Sequence, residues 1–198
     1  MATYAEVLDR VMRGDYTAAS EEERAEAVAK VIQACSVAAS AVTIQPIPFV
    51  DTALIAPIQI AMVQAIGRVR GHQLDGKSVL EILSTLGASL VAQNAMMAAA
   101  KFIPFLGWVV TISMAYALTW AIGEVSDFYF RTGRGASESE LRDMFKRVYR
   151  EKREEKQQAN GSNERLKDKL HQLKDAFEAG LIDEAEFLKK KEELLASF

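Results

Sequence analysis

Charge is almost absent from the middle of this chain. Between residues 31 and 123 only Asp51, Arg68, Arg70, Asp75, Lys77, Glu81 and Lys101 are ionised, whereas residues 124–198 carry 33 charges of nearly balanced sign. So long an apolar stretch has to be buried, either against protein or in lipid, because apolar surface left in water is costly. The mean hydropathy of −0.01 averages an apolar block with a polar one. Uncharged runs occupy residues 31–50, 52–67, 82–100 and 102–123. A bilayer core needs about 20 apolar residues per helix, so these runs sit at the margin of what spans a membrane. The last run fits best. It holds Trp108, Tyr116 and Trp120, with Phe128, Tyr129 and Phe130 just beyond, as an interfacial aromatic belt would. Gln59, Gln64, Gln93 and Asn94 weaken the other runs, since amides are expensive in hydrocarbon unless they pair across helices.

Punctuation in the chain predicts helices throughout. Thr3 is placed to cap a short first helix that ends near Gly14. Ser20 with Glu23 reads as a capping box, in which the hydroxyl accepts from the N3 amide and the carboxylate reaches back. The helix it opens runs to about Ile44. Pro46 and Pro48 stop it, Asp51 is placed to cap the next helix, and Pro57 should kink that helix or delay its start. Ser78 with Glu81 opens a third helix to about Lys101, Pro104 and Gly107 turn the chain, and a fourth helix runs to about Arg131. Ser137 with Glu140 opens a charged helix to about Ala159. Its cations Lys146, Arg147, Arg150, Lys152 and Arg153 could attract anionic lipid. With Asp143, Glu151, Glu154 and Glu155 interleaved, they read as a solvated face.

The block is repetitive. At an offset of 56 residues, Ile47–Val69 aligns without gaps on Ile103–Val125, with eight of 23 positions identical. Each copy reads Ile-Pro-Phe, an apolar helix, then Ala-Ile-Gly. The simplest account is a duplicated helical hairpin with both proline turns at one end. The expected fold is all-α: a duplicated apolar helical hairpin (a four-helix unit), a charged helix and a small C-terminal helical hairpin. The corresponding divisions are 1–20, 21–135, 136–162 and 163–198. In the last, Leu166, Leu170, Leu173 and Phe177 fall at helical spacing, Gly180 ends that helix, and Asp183 with Glu186 opens another bearing Phe187, Leu194 and Leu195. A two-helix hairpin is too small to be stable alone, so these residues are expected to pack on something, above all on other copies of the chain.

Chemistry is sparse. Residues 71–78, Gly-His-Gln-Leu-Asp-Gly-Lys-Ser, match the P-loop pattern letter for letter. A P-loop needs a buried strand before it, and residues 59–70 read as a helix. His72 and His171 lie in different segments, and Cys35 is the only cysteine, so neither a metal cluster nor a disulfide is expected. No nucleophilic triad or G-x-S-x-G is present, and a net charge of −3 gives no field for nucleic acid. No enzyme, cofactor or nucleic-acid partner is therefore expected. Met1–Arg13 has acidic residues and no apolar run, so it is not read as a signal peptide. Arg68, Arg70 and Lys77 after one hairpin, and Arg131 and Arg134 after the other, place basic residues where the positive-inside rule wants the cytoplasm.

Two resemblances add to this. Residues of about 163–198 resemble the short C-terminal (SHOCT) domain through Leu-x-x-Leu, Gly-x-Ile, Glu-Phe and Lys-x-x-Leu-Leu, with Asp183 where Thr is more usual. That resemblance implies homo-oligomerisation. Residues of about 25–131 look like the bacterial domain-of-unknown-function family 697, on Pro46-x-Pro48-x-x-Asp51, Pro57-x-Gln59, Gly71, Pro104-x-x-Gly107 and Thr119-x-x-x-Gly123. It implies a helix end at Gly71, a bacterial inner-membrane setting, and relatives fused to Era-like GTPase domains. The resulting expectation is a non-enzymatic, membrane-associated scaffold, self-assembling through its hairpins on the cytoplasmic side. The alternative is a soluble, cytoplasmic helical interaction module that partners a GTPase.

Overall fold

The computed structural model describes residues 3–43, 50–72, 79, 107–161 and 164–196. Among them are seven helices and no strand: α1 Tyr4–Arg13, α2 Glu21–Val42, α3 Val50–Val69, α4 Gly107–Arg131, α5 Glu138–Gly161, α6 Glu164–Glu178 and α7 Glu184–Ala196. The fold is all-α. The hairpin-turn residues Pro46, Pro48 and Pro104, the Ser78–Glu81 box and the expected third helix lie outside the described residues.

Local chemistry explains the helix ends. Thr3 and Ser20 each form complete capping boxes, with Glu6 and Glu23. Ser137 and Glu140 exchange the same pair of bonds, and Asp183 Oδ1 accepts from the Glu186 amide at 2.7 Å. Each box satisfies amides that a helix start leaves without partners. Three glycines follow helices in the left-handed region: Gly71, φ +82°, after α3, Gly133, φ +63°, after α4, and Gly180, φ +70°, after α6. All three carry the paired bonds of a Schellman motif: His72 N–H to Gly67 O with Gly71 N–H to Arg68 O, Arg134 N–H to Tyr129 O with Gly133 N–H to Phe130 O, and Leu181 N–H to Ala176 O with Gly180 N–H to Phe177 O.

Gly14 ends α1 where expected, in extended backbone, φ −65°. Two expectations about α3 change. α3 begins at Val50, which puts Asp51 inside its first turn rather than at the cap. Pro57 lies within α3, which runs continuously to Val69. A proline is tolerated inside a helix when the carbonyl it frees finds other partners.

α4 is the axis of the described bundle. It packs on α2, α3 and α5, and every residue from Thr111 to Thr119 is buried. Gln59 Nε2 donates to Thr119 Oγ1 at 3.2 Å, and Arg70 binds Asp127, so α3 and α4 run parallel at nearly the same level. These helices carry the two repeat copies. The structure thus lays the duplicated sequences side by side, with Ala65, Ile66 and Val69 buried like their counterparts Ala121, Ile122 and Val125. Their helix starts, Val50 and Gly107, lie at one end. At Gly123 a Cβ would come within 2.6 Å of Ile32 Cγ1, so this glycine is what lets α2 lie so close to α4. Two buried hydroxyls are met locally: Ser40 Oγ donates to Ser36 O at 2.8 Å and Ser126 Oγ to Ile122 O at 2.7 Å.

The charged helix is not merely solvated. Leu141, Phe145 and Tyr149 of α5 are buried in the same core as α1–α4. Lys152 Nζ sits 4.9 Å from the Trp120 ring centre, and Lys156 Nζ 4.5 Å from that of Tyr116. The expected aromatic belt is therefore turned into protein for Tyr116 and Trp120, while Phe130 is buried against His72. Among the described residues one helix, α2, is long and apolar enough to cross a membrane, with half of its apolar window buried. Of the 102–123 run, best placed on sequence, Thr111–Thr119 are buried within the bundle and residues 102–106 lie outside the described residues.

Candidate functional site: the two ends of the bundle

The open end, where α3 and α4 finish and α2 begins, is held by an arginine. Arg70 follows α3 and its side chain is 4% exposed. Its Nε donates to Asp127 Oδ1 at 2.7 Å and its Nη2 to Asp127 Oδ2 at 3.2 Å, a two-pronged pair. Its Nη1 donates to Glu21 Oε1 at 2.7 Å. One guanidinium thus ties the first turn of α2 to the ends of α3 and α4. Arg131 adds a longer contact to Asp127, 3.6 Å, and Arg68 donates to Gly14 O at 3.4 Å. Charged groups buried this way need all of these partners. In sequence Arg70 reads as a connector cation, and only the repeat, which sets Val69 opposite Val125, hints that Asp127 lies near it.

At the other end the C-terminal hairpin folds back onto the bundle. Leu170 of α6 and Leu195 of α7 bury against Ala41 of α2 and Ile112 of α4, with Val37 and Leu194 packed beside them. A void of about 10 Å³ lies there among Val37, Ser40, Ile112, Ser113, Tyr116, Lys156 and Leu195, room for one water and no substrate. Burial pushes the Lys156 ammonium pKa down. Burial, with Glu6 next in weight, pushes the Glu192 carboxyl up.

The residues expected to mediate oligomerisation divide. Leu170 and Phe187 are buried within the chain, and Leu173 and Leu194 are half-buried. Phe177 stacks on Phe187 at 4.7 Å yet stays 38% exposed. Leu181, 76% exposed, and Leu188, 39% exposed, lie on the same hairpin. The Leu166 side chain lies outside the described residues.

Catalytic geometry is not assembled among the described residues. Cys35 is free and buried, and no group of three or more His, Cys, Asp or Glu side chains could hold a metal. At the P-loop-like stretch, α3 runs straight into the Gly71 turn, so a helix stands where a nucleotide-binding loop needs a strand. Residues 73–78 lie outside the described residues.

Comparison with known proteins agrees with this picture. The chain is similar to Magnetosome membrane protein 22 of Magnetospirillum gryphiswaldense, 30% identical over 104 residues, covering 48% of this chain and 53% of the relative. It therefore spans about half the length of that curated relative. No solved structure matches. The family described as "Domain of unknown function (DUF697)" matches residues 10–154, from α1 through most of α5. The chain belongs to the DUF697 family.

Proposed function

We propose that this protein is a non-enzymatic, membrane-associated scaffold that self-assembles on the cytoplasmic face of a bacterial inner membrane. The observation that carries the reading is the chain's similarity to a magnetosome membrane protein, and the half of the α2 apolar window that the bundle leaves unburied is surface that lipid can cover. The charges of α5 lie along α4, which favours a bundle held at the surface over one whose α4 faces lipid. A spanning α4 would carry those charges to bilayer depth at a cost of several kcal/mol. Self-assembly is assigned to the C-terminal hairpin, whose exposed Phe177, Leu181 and Leu188 are the apolar residues left over after it has docked. Its SHOCT-like sequence supports the same role.

The test is sedimentation of membranes from cells expressing the chain, with light scattering of the purified protein. Most of the protein should pellet with membranes, and its mass should be a multiple of 21.9 kDa. A monomer in the supernatant contradicts both parts. A second reading, a soluble interaction module and GTPase partner, is favoured by the burial of Thr111–Thr119 on all sides. Nucleotide-dependent capture of a GTPase, with no membrane pelleting, would select it.

A further inference from the structure

The C-terminal hairpin is an addition to a body that is complete without it. Among the described residues the main core takes side chains from α1 to α5 and none from α6 or α7. The family match likewise ends at residue 154, before α6 begins at Glu164. The hairpin has a small cluster of its own, in which Leu170 and Leu195 meet Ala41 of α2 and Ile112 of α4. α7 packs on α2, and α6 packs on α7. Residues 162 and 163 alone stand between Gly161, the end of α5, and Glu164, the start of α6.

The docked contact holds opposing forces. Burial of Leu170 and Leu195 favours it. Against it, Lys191 of α7 is wholly buried, with its ammonium 5.1 Å from the centre of the Phe187 ring. Glu192 is half-buried and faces Glu6 of α1, a like charge. Lys156 lines, together with Leu195, the void left at the contact. Ionised groups drawn out of water and unfilled space both weaken a contact, so this one opens at less cost than the main core. An opened hairpin leaves Leu170, Leu195, Ala41 and Ile112 facing water. The surface that fits the hairpin is then the same groove on another copy of the chain.

We propose that α6 and α7 are exchanged between copies, the hairpin of one chain docking in the α2–α4 groove of a second. The inference rests on the self-assembly reading and names the seat that the hairpin takes. Exchange repeats every contact between hairpin and groove, so the docked and exchanged forms differ chiefly in chain entropy, and concentration drives the exchange.

The test is complementation between two differently tagged full-length chains. Leu195→Asp spoils the hairpin and leaves the groove, and Val37→Asp spoils the groove and leaves the hairpin. By light scattering the unaltered chain should show a mass of about twice 21.9 kDa or more, and each variant alone should fall to 21.9 kDa with its helical circular dichroism kept. An equal mixture should return to about twice 21.9 kDa, in complexes carrying both tags, as the intact hairpin finds the intact groove. Both variants alone keeping the unaltered mass overturns the exchange and leaves self-assembly standing on another face. Monomers in the mixture overturn it too, since docking then serves each chain by itself. A monomeric unaltered chain overturns exchange and self-assembly together. A second measurement needs no buried charge: Val37→Cys in one chain and Leu195→Cys in the other, both with Cys35→Ser. Oxidation of the mixture should join the two tags by a disulfide. A disulfide that closes only within single chains carrying both cysteines overturns the exchange.

Discussion

α4 and α5 lie against each other and follow opposite rules. α4 buries nearly its whole circumference, mostly with small and apolar side chains and with hydroxyls bonded inside the bundle. α5 buries one face, Leu141, Phe145 and Tyr149, and leaves the rest charged. The contrast teaches that neither helix's charge content alone locates it. The described stretch Thr111–Thr119 of an uncharged run is sheathed by protein, and a helix dense in charge does part of the sheathing.

The most severe way to break this comparison is to remove the side chain that joins the two helices. Phe145 is fully buried between them. Phe145→Ala should cost about 3–5 kcal/mol in chemical unfolding, where an effect under about 1 kcal/mol would mean that α5 is an appendage. Next comes the open end. Arg70→Ala leaves Asp127, only 15% exposed, without its two-pronged partner. The loss should be about 2 kcal/mol, the scale of hydrogen bonds to charged groups. Asp127→Asn should lose less when combined with Arg70→Ala than alone.

Much of this was legible in the sequence, for reasons that differ by element. Capping boxes at Ser20 and Ser137 and the side-chain cap at Asp183 are local chemistry, and they set helix starts to the residue. The repeat foretold that α3 and α4 are equivalent, and the Gln59–Thr119 and Arg70–Asp127 bonds show them parallel. The docking of Leu170 and Leu195 on Ala41 and Ile112 was not legible, because amphipathic spacing says that a face is buried and not against what. The aromatic belt misled for the same reason, since Tyr116 and Trp120 suit a membrane interface and a cation-lined helix contact equally. Charges on α5 misled in the linear reading, which hides the buried face of Leu141, Phe145 and Tyr149 between them.

A smaller effect sharpens the comparison at the contact of α2 with α4. Gly123→Ala should cost about 1 kcal/mol, the clash with Ile32 outweighing the better helix propensity of alanine. Ile32→Ala should suppress that cost in a double-mutant cycle, and additivity would contradict the close approach. The smallest effect concerns the docked C-terminal hairpin. The Glu192 carboxyl is held above its ordinary 4.5 by burial, then by Glu6. Its contribution is complete below that ordinary value and is lost as pH rises through the folded value. Glu192→Gln should therefore stabilise the fold slightly at neutral pH and flatten its decline above pH 4.5, read from thermal midpoints across that range. An unchanged profile would place Glu192 outside the docked contact.

The central claim is that the bundle associates with a membrane while α4 stays enclosed by protein. Fractionation of membranes from expressing cells, washed in turn with low salt, alkaline carbonate and detergent, tests it most directly. The account predicts that the chain pellets in low salt and is released by carbonate without detergent. Release by detergent alone would place the apolar helices in lipid and contradict the enclosure of α4, and failure to pellet at all would contradict membrane association.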